Sequence, residues 1–307
     1  MSLPWLGYTW KTLSKQLHEQ NFPQSVLLRG EQGLGKQQLA RFLAKTILCS
    51  TQQHQACNQC HSCQIFEAGT HGGFFQISQD KPKVDDIREL SRWAGQTSSL
   101  GSSKVAIISD ISLLNDASNN ALLKTLEEPV NDTHFILINH LPFKAMPTIL
   151  SRCQVVNIKT PSIEMAEQWL LKQKIRLDQN FSLIYRFCNS SPLRVLEFYR
   201  EQQFSELELF IEQFQLMTQG KINKLADILQ KDTQKLSWLS HTLALAISLQ
   251  AGLVRPSLYP QLQTESLSVD CLNGCYRELI SLKKQLEEFP SLNISLQLYP
   301  IFSQFKD

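Results

Sequence analysis

The sequence predicts an α/β domain built on a five-stranded parallel sheet, followed by a small helical domain and an all-helical C-terminal domain. Three observations lead there. Short, continuous apolar runs alternate with helix-period segments through the first half, the pattern of a parallel sheet covered on both faces. A glycine-rich segment, Gly30-Glu31-Gln32-Gly33-Leu34-Gly35-Lys36-Gln37, follows the first run and opens a helix, the context in which a phosphate-binding loop works. Beyond Thr160-Pro161-Ser162 no run reads as a strand, and apolar residues recur at helical spacing.

Five runs read as strands: Val26–Leu28, Phe74–Ile77, Val105–Ile108, Phe135–Ile138 and Val155–Ile158. Each is short and apolar. Helical patterns separate several of them, among them Gln38–Leu48 and Asp116–Glu128. After the junction, Ser162 to about Lys174 begins like a capped helix, and Asp178–Cys188 continues the helical signal. From Ser205 onward, Leu207, Phe210, Ile211, Phe214 and Met217 share a face, as do Ile222, Leu225, Ala226 and Leu229. Cys275, Leu279, Leu282 and Leu286 repeat the spacing, while Gly220, Pro256, Pro260 and Pro290 punctuate the helices. The predicted boundaries are 1–160, 161–204 and 205–307.

At 307 residues the chain is long enough for two or three domains. Thirty Lys and Arg against 28 Asp and Glu leave no charge excess of the kind that marks a nucleic-acid binder. No cationic start with an apolar run and a small-residue cleavage site opens the chain. The most apolar late stretch, Trp238–Val254, is interrupted by Ser240, His241, Ser248 and Gln250 and reads as a buried helix rather than a membrane span. The expectation is a soluble, cytoplasmic protein without a membrane partner. Trp5, Trp10, Phe181, Tyr185 and Phe187 read as core residues rather than base-stacking platforms.

The loop matches G-x-x-x-x-G-K-[ST] except at its last position, Gln37. Gly30, Gly33 and Gly35 let backbone N–H groups wrap a phosphate, and Lys36 is placed to reach the outer phosphates. An amide on a longer stem replaces the compact hydroxyl that an octahedral Mg²⁺ shell accepts. The residues therefore describe a phosphate cradle that lacks a part hydrolysis needs.

Eight cysteines in such a chain suggest metal ligands and buried thiols rather than disulfides. Cys49, Cys57, Cys60 and Cys63 form C-x7-C-x2-C-x2-C in a polar stretch. Two-residue spacers let thiolates converge on one tetrahedral ion, and four thiolates close its shell, the arrangement of a structural Zn²⁺. His54 and His61 are spare nitrogen donors nearby. Cys153, Cys188, Cys271 and Cys275 show no comparable spacing and read as packing.

The run Val105–Ile108 leads into Ser109-Asp110, and Asn120-Ala121-Leu122-Leu123-Lys124-Thr125-Leu126-Glu127-Glu128-Pro129 and Ser151-Arg152-Cys153 follow. On these motifs the chain resembles the AAA+ clamp-loader subunits of bacterial DNA polymerase III, most specifically over residues 1–159. The resemblance implies an AAA+ P-loop domain, a small helical lid and an all-α collar that holds a pentameric ring. It puts Ser109 where the Mg²⁺-organising Asp belongs and Asp110 at the catalytic Glu. With Gln37, that makes three departures from a hydrolytic site, and it makes ATP or ADP a doubtful cofactor.

The same resemblance makes Arg152 an arginine finger that acts in trans on ATP bound by an adjacent subunit. Asn139 falls where relatives sense phosphate; structural capping is an equal reading. Arg194 lies one position out of register for a second sensing Arg, and Pro192 perturbs the turn before it. Lys124 and Glu128 stand at i,i+4 and pair on a helix face. The implied partners are gamma/tau-type and delta subunits, the sliding clamp, and primed DNA through the assembled complex. Two other readings stand beside this one: an autonomous AAA+ ATPase, and a zinc-dependent protein-interaction module. The cysteine segment is a poor DNA contact, because no Lys or Arg lies between Lys45 and Lys81.

Overall fold

The structure, a computed structural model, describes residues 3–51, 55–78, 82–96, 103–127, 132–141, 145–219, 223–232, 235–254, 262, 267–288 and 292–305. His54, Glu128, Pro129, Gly220, Ile222, Pro256, Pro260 and Pro290 lie outside the described residues. In chain order the main elements are α1 (Gly7–His18), β1 (Ser25–Glu31), α2 (Lys36–Leu48), α3 (His61–Glu67), β2 (Phe74–Ile77), α4 (Val84–Gly95) and β3 (Lys104–Ile108). They continue as α5 (Asp116–Glu127), β4 (Thr133–Leu141), α6 (Pro147–Leu150), β5 (Gln154–Asn157) and α7 (Ile163–Lys172). The remaining helices are α8 (Phe181–Phe187), α9 (Pro192–Arg200), α10 (Phe204–Thr218), α11 (Asn223–Lys231), α12 (Leu236–Gln250), α13 (Val269–Glu288) and α14 (Ile294–Ser303).

Contacts group the chain into two units, one of Met1–Arg176 with Ser191–Arg194, the other of Leu177–Ser190 with Val195–Asp307. In the first, the five predicted strands form one sheet in the order β2-β3-β4-β1-β5, with every pairing parallel. Successive side chains along a strand point to opposite faces. Leu27, Ala106, Ile108, Phe135 and Leu137 face α4 and α5, where Ile87, Leu90, Leu122 and Leu126 complete one core layer. Val26, Leu28, Ile107, Ile136 and Ile138 are equally buried and point the other way, toward the side that α2 covers with Leu39, Ala40 and Leu43. Burial on both faces is why these strands read as unbroken apolar runs.

Every regular element among the described residues of the second unit is a helix. α12 packs along α13, α11 against α14, and α10 against α11. Phe210, Phe214, Met217, Leu243, Leu279 and Phe302 fill its interior. Phe210 meets the Trp238 ring edge-on, with centroids 5.5 Å apart. The apolar stretch beginning at Trp238 is α12, and no helix among the described residues is long and apolar enough to cross a membrane. Cys188 and Cys275 are buried packing thiols.

Candidate functional site

The glycine-rich loop leaves the end of β1 and turns into α2. Gly33 and Gly35 adopt φ of +81° and +82°, a left-handed backbone that glycine enters without a Cβ penalty. A Cβ on Gly35 would also stand 2.3 Å from Leu3 Cδ1, and one on Gly30 would stand 2.6 Å from the Ile158 carbonyl. Neighbouring segments brace the loop from outside. The Trp5 indole N–H donates to the Leu34 carbonyl at 2.9 Å. Ser191 Oγ donates to the Gln32 carbonyl, and the Leu193 N–H to the Gly33 carbonyl. The stem of Arg194 lies against Gly33, close enough that a Cβ there would meet its Cγ at 2.6 Å.

Lys36 is 2% exposed, and its ammonium donates to the Gly30 and Glu31 carbonyls at 2.6 and 2.5 Å. Burial lowers its pKa to about 8, against the opposing pull of Glu31 and Asp110. An ammonium that serves a phosphate must first leave these two carbonyls.

The strand ends carry the rest of this site. At the end of β3, Ser109 Oγ accepts from the Gln76 side chain at 3.3 Å. Asp110 is the N-cap of a short 3-10 turn, Ile111–Leu113, and its Oδ1 accepts from both the N–H and the hydroxyl of Ser112. Its other oxygen stands 4.0 Å from His140 Nε2. Parallel pairing sets Asn139 and His140 beside Arg29 and Gly30, where β1 runs into the loop. His140 is held neutral by burial and by the Lys36 charge, with its pKa lowered to about 4. Asn139 is fully buried, and neither polar atom of its amide has a partner among the described residues. Among the described residues it caps nothing.

Arg152 belongs to a different place. It follows α6, and its partners are the Thr148 carbonyl at 2.8 Å, Ser151 Oγ at 3.2 Å and the Glu127 carboxylate at the end of α5. None of these is a loop residue. The pairing with Glu127 left no signal in the sequence, because the two stand 25 positions apart.

The four motif cysteines converge, with all their sulfurs within 4.8 Å of one another. Cys49 and Cys60 Sγ are 3.9 Å apart, and Cys57 and Cys63 Sγ are 4.0 Å apart. Four thiolates about 2.3 Å from a tetrahedral ion would be spaced by about 3.8 Å, so the donor set fits a metal. The N–H groups of Cys57, Cys60 and Cys63 donate to the sulfurs of Cys49, Cys57 and Cys60 at 3.3–3.4 Å. The Ser50 side chain first, then the Cys63 N–H, draws the Cys60 thiol down to about 5. Burial pushes Cys63 up to about 12.

Two links tie this segment to the sheet unit. Lys45 of α2 pairs with Glu67 of α3. The His71 ring accepts from the Gly73 N–H through Nδ1, which leaves Nε2–H to donate to Ser62 Oγ at 2.9 Å; that hydroxyl donates in turn to the Leu48 carbonyl. His61 is exposed and stands outside the cluster.

Comparison with known proteins adds a lineage to this geometry. Residues 7–162 match the family described as DNA polymerase III, delta subunit, and residues 201–306 match the C-terminal region of DNA polymerase III, delta subunit. The DNA polymerase III subunit delta′ of Haemophilus influenzae is 32% identical over 69% of this chain and 65% of its own length. The subunit delta′ of Escherichia coli is 30% identical over 67% of this chain and 63% of its own. The matched span is thus just under two thirds of each of these relatives. A solved DNA polymerase III gamma subunit-related protein from Thermotoga maritima covers 97% of this chain and 98% of its own at 16% identity, with a TM-score of 0.45.

Proposed function

This chain belongs to the DNA polymerase III delta′ family, and from that premise we propose that it is a clamp-loader subunit that does not hydrolyse ATP itself and lends Arg152 to a neighbour's ATP. The observation that carries this reading is the placement of Arg152. Its guanidinium is partly exposed and anchored to α5 and α6 rather than to its own loop. Such a group serves another subunit's nucleotide better than its own. A guanidinium there stabilises charge that develops on the transferring phosphoryl group.

The chain's own nucleotide site lacks what hydrolysis needs. Gln37 replaces the Mg²⁺-binding hydroxyl and Ser109 an acidic residue, and Asp110 Oδ1 is engaged with Ser112 while its Oδ2 stands 4.0 Å from His140 Nε2. Gly30, Gly33, Gly35 and Lys36 are retained as architecture and as a weak phosphate cradle, with Asn139 as its spare polar group. Cys49, Cys57, Cys60 and Cys63 would hold Zn²⁺, whose role when bound is to cross-link the segment between α2 and α3.

The partners in this reading are gamma/tau-type and delta subunits, the sliding clamp, and primed DNA through the assembled complex, in the cytoplasm. The division at 160 and 204 into P-loop domain, lid and collar is part of the same proposal. Reconstitution with the partner subunits tests it. Arg152→Ala should lower ATP turnover stimulated by primed DNA and clamp while assembly stays intact; unchanged turnover removes the finger assignment.

A further inference from the structure

Arg152 has five N–H donors. Three are engaged, two from Nη1 by the Thr148 carbonyl and Ser151 Oγ, and one from Nη2 by Glu127. Nε–H and the second Nη2–H have no hydrogen-bond partner among the described residues. The backbone carbonyl and the hydroxyl come from the turn that carries Arg152 itself, so alone they fix only one end of the guanidinium. Glu127 comes from a different helix and sets the plane from the other side.

The place of Glu127 is otherwise hard to explain. A carboxylate in the last turn of a helix sits at the negative end of the helix dipole, where a cation is favoured. An exposed ion pair adds little to stability, because water screens it and two side chains lose freedom. Both oppositely charged groups are partly exposed, with side-chain exposures of 31% for Arg152 and 47% for Glu127. Fold stability therefore gives little reason for this acid at this position.

We infer that Glu127 is a positioning residue for the arginine finger: it holds the Arg152 guanidinium in one orientation, with two N–H donors turned out for a phosphate. This rests on the reading of Arg152 as a finger. Catalysis gains when the stabilising donors are already fixed before charge develops, since no orientation is then lost in the transition state. A free arginine side chain has many rotamers, and this one is confined by a three-point grip. Glu127 touches no substrate in this scheme and acts only through Arg152.

The test uses the reconstituted clamp-loader complex, with kcat and KM for ATP measured in the presence of primed DNA and clamp. Glu127→Ala should lower kcat by about threefold to tenfold with KM nearly unchanged, the mark of an interaction made in the transition state. Glu127→Gln keeps an acceptor oxygen and should restore most of the loss. The double variant Glu127→Ala/Arg152→Ala should be no slower than Arg152→Ala alone, because two groups acting as a unit are not additive. The unfolding temperature of the isolated chain should stay within a degree or two for Glu127→Ala.

An unchanged kcat in Glu127→Ala while Arg152→Ala is slow overturns this inference alone. A raised kcat overturns it too, and makes Glu127 a competitor of the phosphate. Additive losses in the double variant show an independent role and do the same. If Arg152→Ala is itself unimpaired, the finger reading falls and the positioning role falls with it.

Discussion

Asp110 accepts two hydrogen bonds from Ser112, 2.9 Å from the backbone N–H and 2.7 Å from the hydroxyl. The one carboxylate at the end of β3 is thereby tied to a turn cap. A carboxylate that orients a nucleophilic water needs its lone pairs free toward the phosphate. The purified chain with Mg-ATP should show no turnover above the solution background, and Lys36→Ala should leave that background unchanged. A rate that falls on replacing Lys36 would establish an autonomous ATPase. Asp110→Ala should cost about 1 kcal/mol through the lost cap, read as a lower denaturant midpoint.

The cysteine segment predicts its own metal content. Protein purified without chelator should carry one Zn²⁺ per chain by elemental analysis, and Cys60→Ser/Cys63→Ser should carry none. Bound metal stabilises only the folded state, and this segment has little apolar material beyond Cys49, Ala56 and Cys63. Chelation should therefore lower the unfolding temperature by about 5 °C or more. Wild-type protein that is fully folded and free of zinc would refute the assignment.

Lys104 is a buried cation used as a helix cap. It opens β3 at 5% exposure, and its ammonium donates to the carbonyls of Trp93, Ala94 and Gln96 at the end of α4. The ammonium also lies 4.5 Å from the centre of the Trp93 ring. Burial lowers its pKa. Lys104→Met keeps the stem and leaves those carbonyls without their donor. It should destabilise the chain by about 2–4 kcal/mol, measured by urea unfolding; a change below about 0.5 kcal/mol would mean that water replaces the ammonium.

What could be read in advance follows from where the information lies along the chain. The strands were legible because burial on both faces leaves unbroken apolar runs such as Val105–Ile108. The phosphate loop and the cysteine cluster were legible because their chemistry is local, set by spacings of two to seven residues. Lys104 was not, since a lysine at a strand start ordinarily reads as solvated. The partnership of Glu127 with Arg152 and the Asn139 amide, which has no partner among the described residues, depend on chain segments brought together only by the sheet order. Arg194 shows the same limit. Pro192 disturbs the local register, but the tertiary fold still lays the Arg194 stem on Gly33.

Two buried histidines predict how the chain responds to acid. His140 is lowered to about 4 by burial and then by the Lys36 charge, with Asp110 opposing. His241 is lowered to about 4 by burial and then by Lys283 and Arg186, and its Nε2 lies 2.9 Å from Asn189 Oδ1. The unfolded chain takes up a proton on each near pH 6.5, whereas the folded chain resists until about pH 4. Between those values the unfolded state binds more protons, so stability rises with pH. The contribution is complete above about pH 6.5 and is lost as pH falls through the window. Moving from pH 7.5 to 5 should cost about 2 kcal/mol per histidine, each in its own unit. His140→Gln and His241→Gln should each flatten the pH dependence of the unit that carries it, measured by urea unfolding across the range. A slope that both variants leave intact would mean that these rings are already protonated in the folded chain.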